Sequence, residues 1–316
     1  MALRTVPPAS ATLLALMCVT FVLEALASAS SRGDTLIGFG ASFRPYFIDG
    51  QYWRVVMPMF LHLSLAHLGL NLLGLYLLGP QLERAYGCGR FALVFLGGGI
   101  VGSLASMLFS RQLGAGASGG ILGVCAALVL IRYTRPAMLP ADARTACGSQ
   151  LVAGIGLTLA FGWMVPGIDN WAHLGGLAGG AAVGLLLKPQ SPASDVALRV
   201  DHSLLAALGV VCFSGMAALN YYPRWQRVLA LESDGNRLLA ARQLEAAKLQ
   251  FQHAKEIEPA DCRLHVQLSS IYVSLGQERK AREEREWALR LNSEIKGKGG
   301  VVSGRRVSPQ VDFCQR

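Results

Sequence analysis

Seven mostly apolar stretches, at residues 11–29, 65–82, 91–109, 117–133, 147–165, 171–187 and 204–221, limit what this chain can fold into. A helix of about 20 apolar residues crosses the hydrocarbon layer of a bilayer, and a short span does so with somewhat fewer. The composition agrees: 52% of residues are hydrophobic and only 16% charged, with 36 glycines, which excludes an ordinary soluble globular chain. Charge is unevenly spread, since residues 1–222 carry 12 Lys and Arg with 8 Asp and Glu, whereas residues 223–316 carry 17 and 12. An apolar domain therefore precedes a soluble one. The expected fold class is all-α, a polytopic membrane helix bundle of six spans plus one followed by a small soluble domain of helical hairpins.

The first stretch sits where a secretory signal would, but it holds Glu24, has a single Arg ahead of it and is long, so it reads as an uncleaved span. Lys and Arg near span ends set orientation. With the N-terminus in the cytoplasm, Arg4, Arg84, Arg90, Arg132, Arg135, Arg144, Lys188 and Arg199 fall inside, and Arg32, Arg44, Arg54 and Arg111 fall outside. That balance favours a cytoplasmic N-terminus in a multi-pass protein of a bacterial-type inner (plasma) membrane. The soluble part then lies on the far side, unless the seventh stretch rests in the interface. Cationic loops beside anionic headgroups account for the net charge of +9, so the lipid bilayer is the expected partner and nucleic acid is not. No CxxC spacing occurs among the seven cysteines, which leaves no readable metal or disulfide framework. Cys18, Cys125 and Cys212 read as packing residues, while Cys262 and Cys314 can pair if the tail is in an oxidising compartment.

Ionisable groups at membrane depth are expensive and mark function by default. Ser118 lies in the run Gly114-Ala115-Gly116-Ala117-Ser118-Gly119-Gly120 at the start of a span, where a helix can begin within the membrane and present its first N–H groups to a reacting carbonyl. His173 stands in a late span, and a neutral imidazole suits a general base near neutral pH. Each has a plainer reading. Gly119 with Gly123 is a helix-contact pattern in its own right, and a lone membrane histidine can be a hydrogen-bonded packing residue. Gly176 and Gly180 form a second small-residue face just after His173, suited to bringing its helix against the Ser118 helix. His67 and Asn71 are four residues apart and share a helix face. They fit either a polar helix contact, a metal pair or oxyanion donors; no carboxylate is near enough in sequence to complete a hydrolytic zinc set, and neither a metal nor a cofactor is expected. His62 points elsewhere on such a helix and is read as stabilising the loop that leads into the span.

Together these blocks resemble the rhomboid intramembrane serine proteases, over about residues 35–188. The resemblance implies that Ser118 is the nucleophile, His173 its base in a dyad, and His67 and Asn71, with the Ser118 N–H, the oxyanion donors. It further implies structural roles for Trp53 and Arg54 in the first extracytoplasmic loop and for Glu83 with Gly87 in the turn after the second span, beside Gly116, Gly119, Gly176, Gly180 and Asn170 near the site. In one respect the sequence departs from the family. Leu122 stands where rhomboids usually carry an aromatic that stacks on the catalytic imidazole. Asp169, one turn before His173, invites a triad but is more simply a helix cap. The implied substrates are single-pass transmembrane proteins, and the implied alternative is a rhomboid-fold scaffold that binds membrane helices without cutting them.

The soluble part repeats with the 34-residue period of tetratricopeptide helical hairpins. Gly235, Leu238, Ala247, Phe251, Ala254 and Pro259 fit the first copy, and Tyr272, Gly276, Ala281 and Ala288 the second, with Arg285 and Ser293 departing from the pattern. An ordinary amphipathic hairpin pair is the other reading. Two repeats rarely bury a stable core alone, so a peptide or protein partner is expected for them. The domain limits are 1–34 for the first span and its lead-in, 35–188 for the core, 189–222 for a linker and the seventh span, 223–295 for the repeats and 296–316 for a loose basic tail.

Overall fold

The structure is a computed structural model that describes residues 6–27, 31–110, 112–139, 148–165, 167–187 and 202–293. The basic tail and Cys314 lie outside the described residues, as does most of the linker before residue 202. The protein is all-helical, and among the described residues the only extended pairing is an isolated bridge between Ser42 and Gly114. Its helices are α1 (Pro8–Leu26), α2 (Arg32–Phe39), α3 (Arg44–Ile48), α4 (Leu65–Tyr86), α5 (Cys88–Phe109) and α6 (Ser118–Thr134). They continue with α7 (Gly148–Met164), α8 (Asn170–Leu186), α9 (His202–Ala240), α10 (Leu244–Ile257), α11 (Cys262–Ser274) and α12 (Glu278–Ser293). A helix coincides with most of each of the seven apolar stretches. Three of them, α1, α4 and α5, are long and apolar enough to cross a membrane, and α6 and α7 are shorter apolar helices.

The chain divides into two compact units, one of residues 1–43 and 52–218 and one of residues 44–51 and 219–316. The division falls inside α9, which runs unbroken through Pro223. At about 1.5 Å per residue its 39 residues reach roughly 58 Å, well beyond the ~30 Å hydrocarbon layer.

In the first unit, helices α5, α6 and α8 approach through glycine. A Cβ on Gly176 would stand 2.3 Å from the Gly119 carbonyl oxygen, and one on Gly180 would stand 2.1 Å from the Gly123 Cα. These are backbone contacts that cannot swing aside, so the small-residue faces expected from the sequence meet each other directly. Gly180→Ala is therefore expected to destabilise the unit by about 1–3 kcal/mol, the usual penalty of overpacking, measured as a lowered unfolding midpoint in detergent.

Several buried polar groups in this unit are paired between segments. Glu83 on α4 caps α1, because its Oε1 accepts from the Ala9 N–H at 2.8 Å and its Oε2 from the Ser10 N–H at 2.7 Å and the Ser10 hydroxyl at 2.6 Å. The N-cap residue, Pro7, offers no side-chain cap of its own, so the carboxylate fills that place at the positive end of the helix. Glu24 is buried within its span against Arg32, at 2.5 Å, and Arg32 also donates to the His62 carbonyl. Arg54 is fully buried and donates to the carbonyls of Ile37 at 2.9 Å and Ala41 at 3.1 Å, tying the loop before α4 to the end of α2. Trp53 packs against the backbone of Gly40, whose φ of +99° and lack of a Cβ make room for the indole.

The second unit consists of the later part of α9 with α10, α11, α12 and the short α3. Helices α10 and α12 begin 34 residues apart, and the turns before them hold positive φ at Arg242 (59°) and Gly276 (71°), also 34 apart. Ala247, Phe251 and Ala254 are fully buried, Gly235 faces the Phe251 ring, and Tyr272, Ala281 and Ala288 are buried in the second hairpin. Glu284 binds Lys255 and His265, both at 2.6 Å. Burial pushes its carboxyl up, but hydrogen bonds from His265 and Lys255 outweigh that and hold it below the usual value. Among the described cysteines Cys18, Cys88, Cys125 and Cys212 are free, whereas Cys262 is disulfide-bonded.

Candidate active site

Ser118 is the first residue of α6, after a loop fixed at two points. Gly114 exchanges both backbone hydrogen bonds with Ser42, each at 2.9 Å, and the Gly116 N–H donates to the Pro58 carbonyl at 2.8 Å. Gly116 takes a φ of +132°, and a Cβ there would stand 2.6 Å from the His67 ring and 3.6 Å from the Asn71 amide nitrogen. Glycine at this position thus serves both the turn and the space in front of α4. The N-cap of α6, Ala117, supplies no side-chain acceptor, which leaves the first N–H groups of the helix to other partners.

Between Ser118 Oγ and His173 Nε2 the distance is 3.0 Å, across the α6–α8 contact made by the glycines. On the other side of the ring, His173 Nδ1 lies 3.2 Å from Asn170 Oδ1, while Asn170 Nδ2 donates to the Leu159 carbonyl on α7 at 2.9 Å. With its amide anchored this way, Asn170 presents an acceptor to the imidazole. The proton is then held on Nδ1 and the lone pair of Nε2 faces the serine. Gly162 makes this possible, because a Cβ there would stand 2.1 Å from Asn170 Oδ1.

Asp169 caps α8, its Oδ1 accepting from the N–H groups of Trp171 at 3.0 Å and Ala172 at 3.2 Å. Its second oxygen accepts from the Ser106 hydroxyl at 2.5 Å. The carboxylate is thereby committed to the helix start, as a cap, and the group behind the imidazole is Asn170. Leu122, in the place of the family aromatic, is buried within α6.

His67 and Asn71 both stand on the first turns of α4, where the Ser64 hydroxyl accepts from the His67 N–H at 3.2 Å as helix cap and Asn71 Nδ2 donates to the His67 carbonyl at 3.1 Å. Their side chains reach the Gly116 side of the serine loop. His62 lies ahead of α4 rather than on it, fully buried, with its ring edge-on to His67 at 5.4 Å. The helix begins only at Leu65, so His62 stands in the loop leading into the span and not on the helix face expected from the sequence. The cleft over these groups has a volume of about 440 Å³ and is lined by Ser118, His173, His67, Gly116, Ser64 and Phe161. Among the described residues no cluster of His, Cys, Asp or Glu is arranged to hold a metal ion.

Residues 49–190 match the family model described as Rhomboid domain. The chain is 39% identical over 176 residues to Rhomboid protease GluP of Bacillus subtilis (strain 168), a match covering 54% of this chain and 34% of that one. It is 36% identical over 161 residues to RHOMBOID-like protein 2 of Arabidopsis thaliana, covering 50% of each, and 32% identical over 173 residues to Rhomboid-like protease 3 of Toxoplasma gondii, covering 52% and 64%. The chain spans about a third to a half of the length of the first curated relatives it matches. Residues 49–190 thus form a Rhomboid domain, and with the apolar helices they make this an integral membrane protein.

Proposed function

We propose that the protein is an intramembrane serine endopeptidase that hydrolyses a peptide bond in or near the transmembrane segment of single-pass membrane proteins. The observation that carries the reading is the 3.0 Å contact of Ser118 Oγ with a histidine whose far nitrogen is held by Asn170. In the first step Ser118 Oγ attacks the scissile carbonyl carbon as His173 Nε2 takes the hydroxyl proton. The carbonyl oxygen becomes an oxyanion, received by the Ser118 N–H at the start of α6 and by the side chains of His67 and Asn71. Collapse of that intermediate breaks the C–N bond, with the proton on His173 passing to the leaving amine. Water, deprotonated by the same nitrogen, then attacks the acyl-enzyme and releases the serine.

Helix α6 has 17 residues and reaches about 25 Å, less than the ~30 Å hydrocarbon layer, which supports a nucleophile set below the membrane surface. Substrate must therefore unwind locally to reach it. The excess of Lys and Arg on one set of loops supports a cytoplasmic N-terminus in a bacterial-type inner membrane. The 34-residue offset between α10 and α12 supports a tetratricopeptide-like reading of the C-terminal hairpins, which carry no nucleophile–base pair of their own and are proposed to bind protein.

The test is cleavage of a single-pass substrate by the full-length protein in liposomes. Asn170→Ala is expected to lower kcat by about 10- to 100-fold with KM little changed, since it frees the imidazole without removing it. Unchanged turnover in this variant would show that the imidazole needs no such support. A metal chelator is expected to leave the rate unaltered, and inhibition by one would turn the reading of His67 towards a metal site.

A further inference from the structure

We propose that the C-terminal helical unit takes the chain's own segment 44–51, from the loop between the first two spans, as a bound peptide and thereby braces that loop. The segment belongs to the same compact unit as the residues from Leu219 onward, although it is far from them in sequence. Its α3 has only five residues, too few to persist as an isolated helix in water. What holds it is a socket of aromatic and charged side chains. Tyr46, 2% exposed, meets the Trp225 ring edge-on at 6.5 Å, and Trp225 is stacked with Tyr221 at 6.4 Å. Arg263 lies over the Trp225 ring at 5.5 Å and is ion-paired with Asp261 at 2.7 Å.

Polar closure of the socket comes from Glu258. Its carboxylate is 3% exposed and accepts from the Tyr221 hydroxyl at 2.7 Å and from the Gln51 side-chain amide at 3.2 Å. A buried carboxylate persists only where donors use its lone pairs, and one of those donors belongs to the inter-span segment. The Tyr46 phenol, pushed well above its ordinary value by burial and then by the neighbouring Asp261, stays neutral. An aromatic anchor in a desolvated pocket beside a satisfied charge is the pattern of a binding hot spot rather than of incidental contact.

The segment continues directly into Tyr52–Val55, the turn that carries Trp53 and Arg54, so the socket holds the entry to that turn. This inference does not depend on the catalytic reading.

Amide hydrogen exchange on the full-length protein in lipid discs tests it. Within the segment the N–H groups of Asp49, Gly50 and Gln51 bond to the carbonyls of Pro45, Phe47 and Tyr46, so they report whether α3 stays formed. In the wild type they are expected to be protected. Trp225→Ala should raise their exchange at least about tenfold while leaving α5, α6 and α8 unchanged. Should Trp225→Ala also unfold α10 to α12, Gln51→Ala is read instead, and faster exchange at residues 49–51 with α11 intact supports the proposal. Wild-type amides that exchange at the rate of free peptide, or variants that leave them unchanged, overturn it.

Discussion

Replacing Ser118 by Ala, or His173 by Ala, is expected to lower kcat by at least about 10⁴-fold while the protein remains folded and inserted. Both changes remove the same step, since an imidazole with no hydroxyl to deprotonate and a hydroxyl with no base are equally inert at neutral pH. The double variant should therefore be no worse than either single one, a non-additivity that distinguishes a dyad from two independent contributors. Folding is expected to survive because the α6–α8 contact is made by glycine backbone rather than by these side chains. A variant that kept its activity would put the nucleophile or base elsewhere and end the dyad reading, whereas a wild type with no turnover would leave the rhomboid-fold scaffold, which binds helices without cutting, as the better description of the chain.

His67→Ala and Asn71→Ala are expected to give graded losses, about 10²–10³-fold in kcat for each, with measurable turnover left. The basis is positional. Both side chains stand on the first two turns of α4 beside the Gly116 bend that leads into Ser118. Donors there act on charge that develops only in the transition state, so KM should move little. Full loss in one variant with no loss in the other would assign the oxyanion to a single side chain.

The residues that make the site were legible because their chemistry is costly in a membrane and because their spacing is local. Ser118 in its glycine run, His67 and Asn71 on one helix face, and Gly176 and Gly180 after His173 can each be read within a window of a few turns. Asp169 as a cap was legible for the same reason. Non-local pairings were not. Nothing in the order of residues links Glu83 to Ser10, Ser106 to Asp169, or Ser42 to Gly114, since each is a hydrogen bond between segments far apart in sequence. The anchoring of Asn170 to Leu159 falls in this class too, although Asn170 was a candidate for support, because the partner is a backbone carbonyl and leaves no side-chain signature. It explains how an imidazole can be oriented in a chain that has Leu122 in place of an aromatic.

In the C-terminal region the period of 34 was visible and the small residues at its crossings are buried. The capture of residues 44–51 was not, because a short loop segment with Tyr46 and Gln51 has no pattern that names its socket. Helix α9 was also hidden. A proline inside a helix removes one hydrogen bond and usually marks a boundary, yet here the helix continues through Pro223 and joins the seventh apolar stretch to the first hairpin.

The most direct measurement is to expose the full-length protein in liposomes to a fluorophosphonate and map the modified peptide by mass spectrometry. The account predicts a single adduct on Ser118, absent in Ser118→Ala and strongly slowed in His173→Ala. An adduct on another residue, or substrate cleavage that persists in Ser118→Ala, would contradict it.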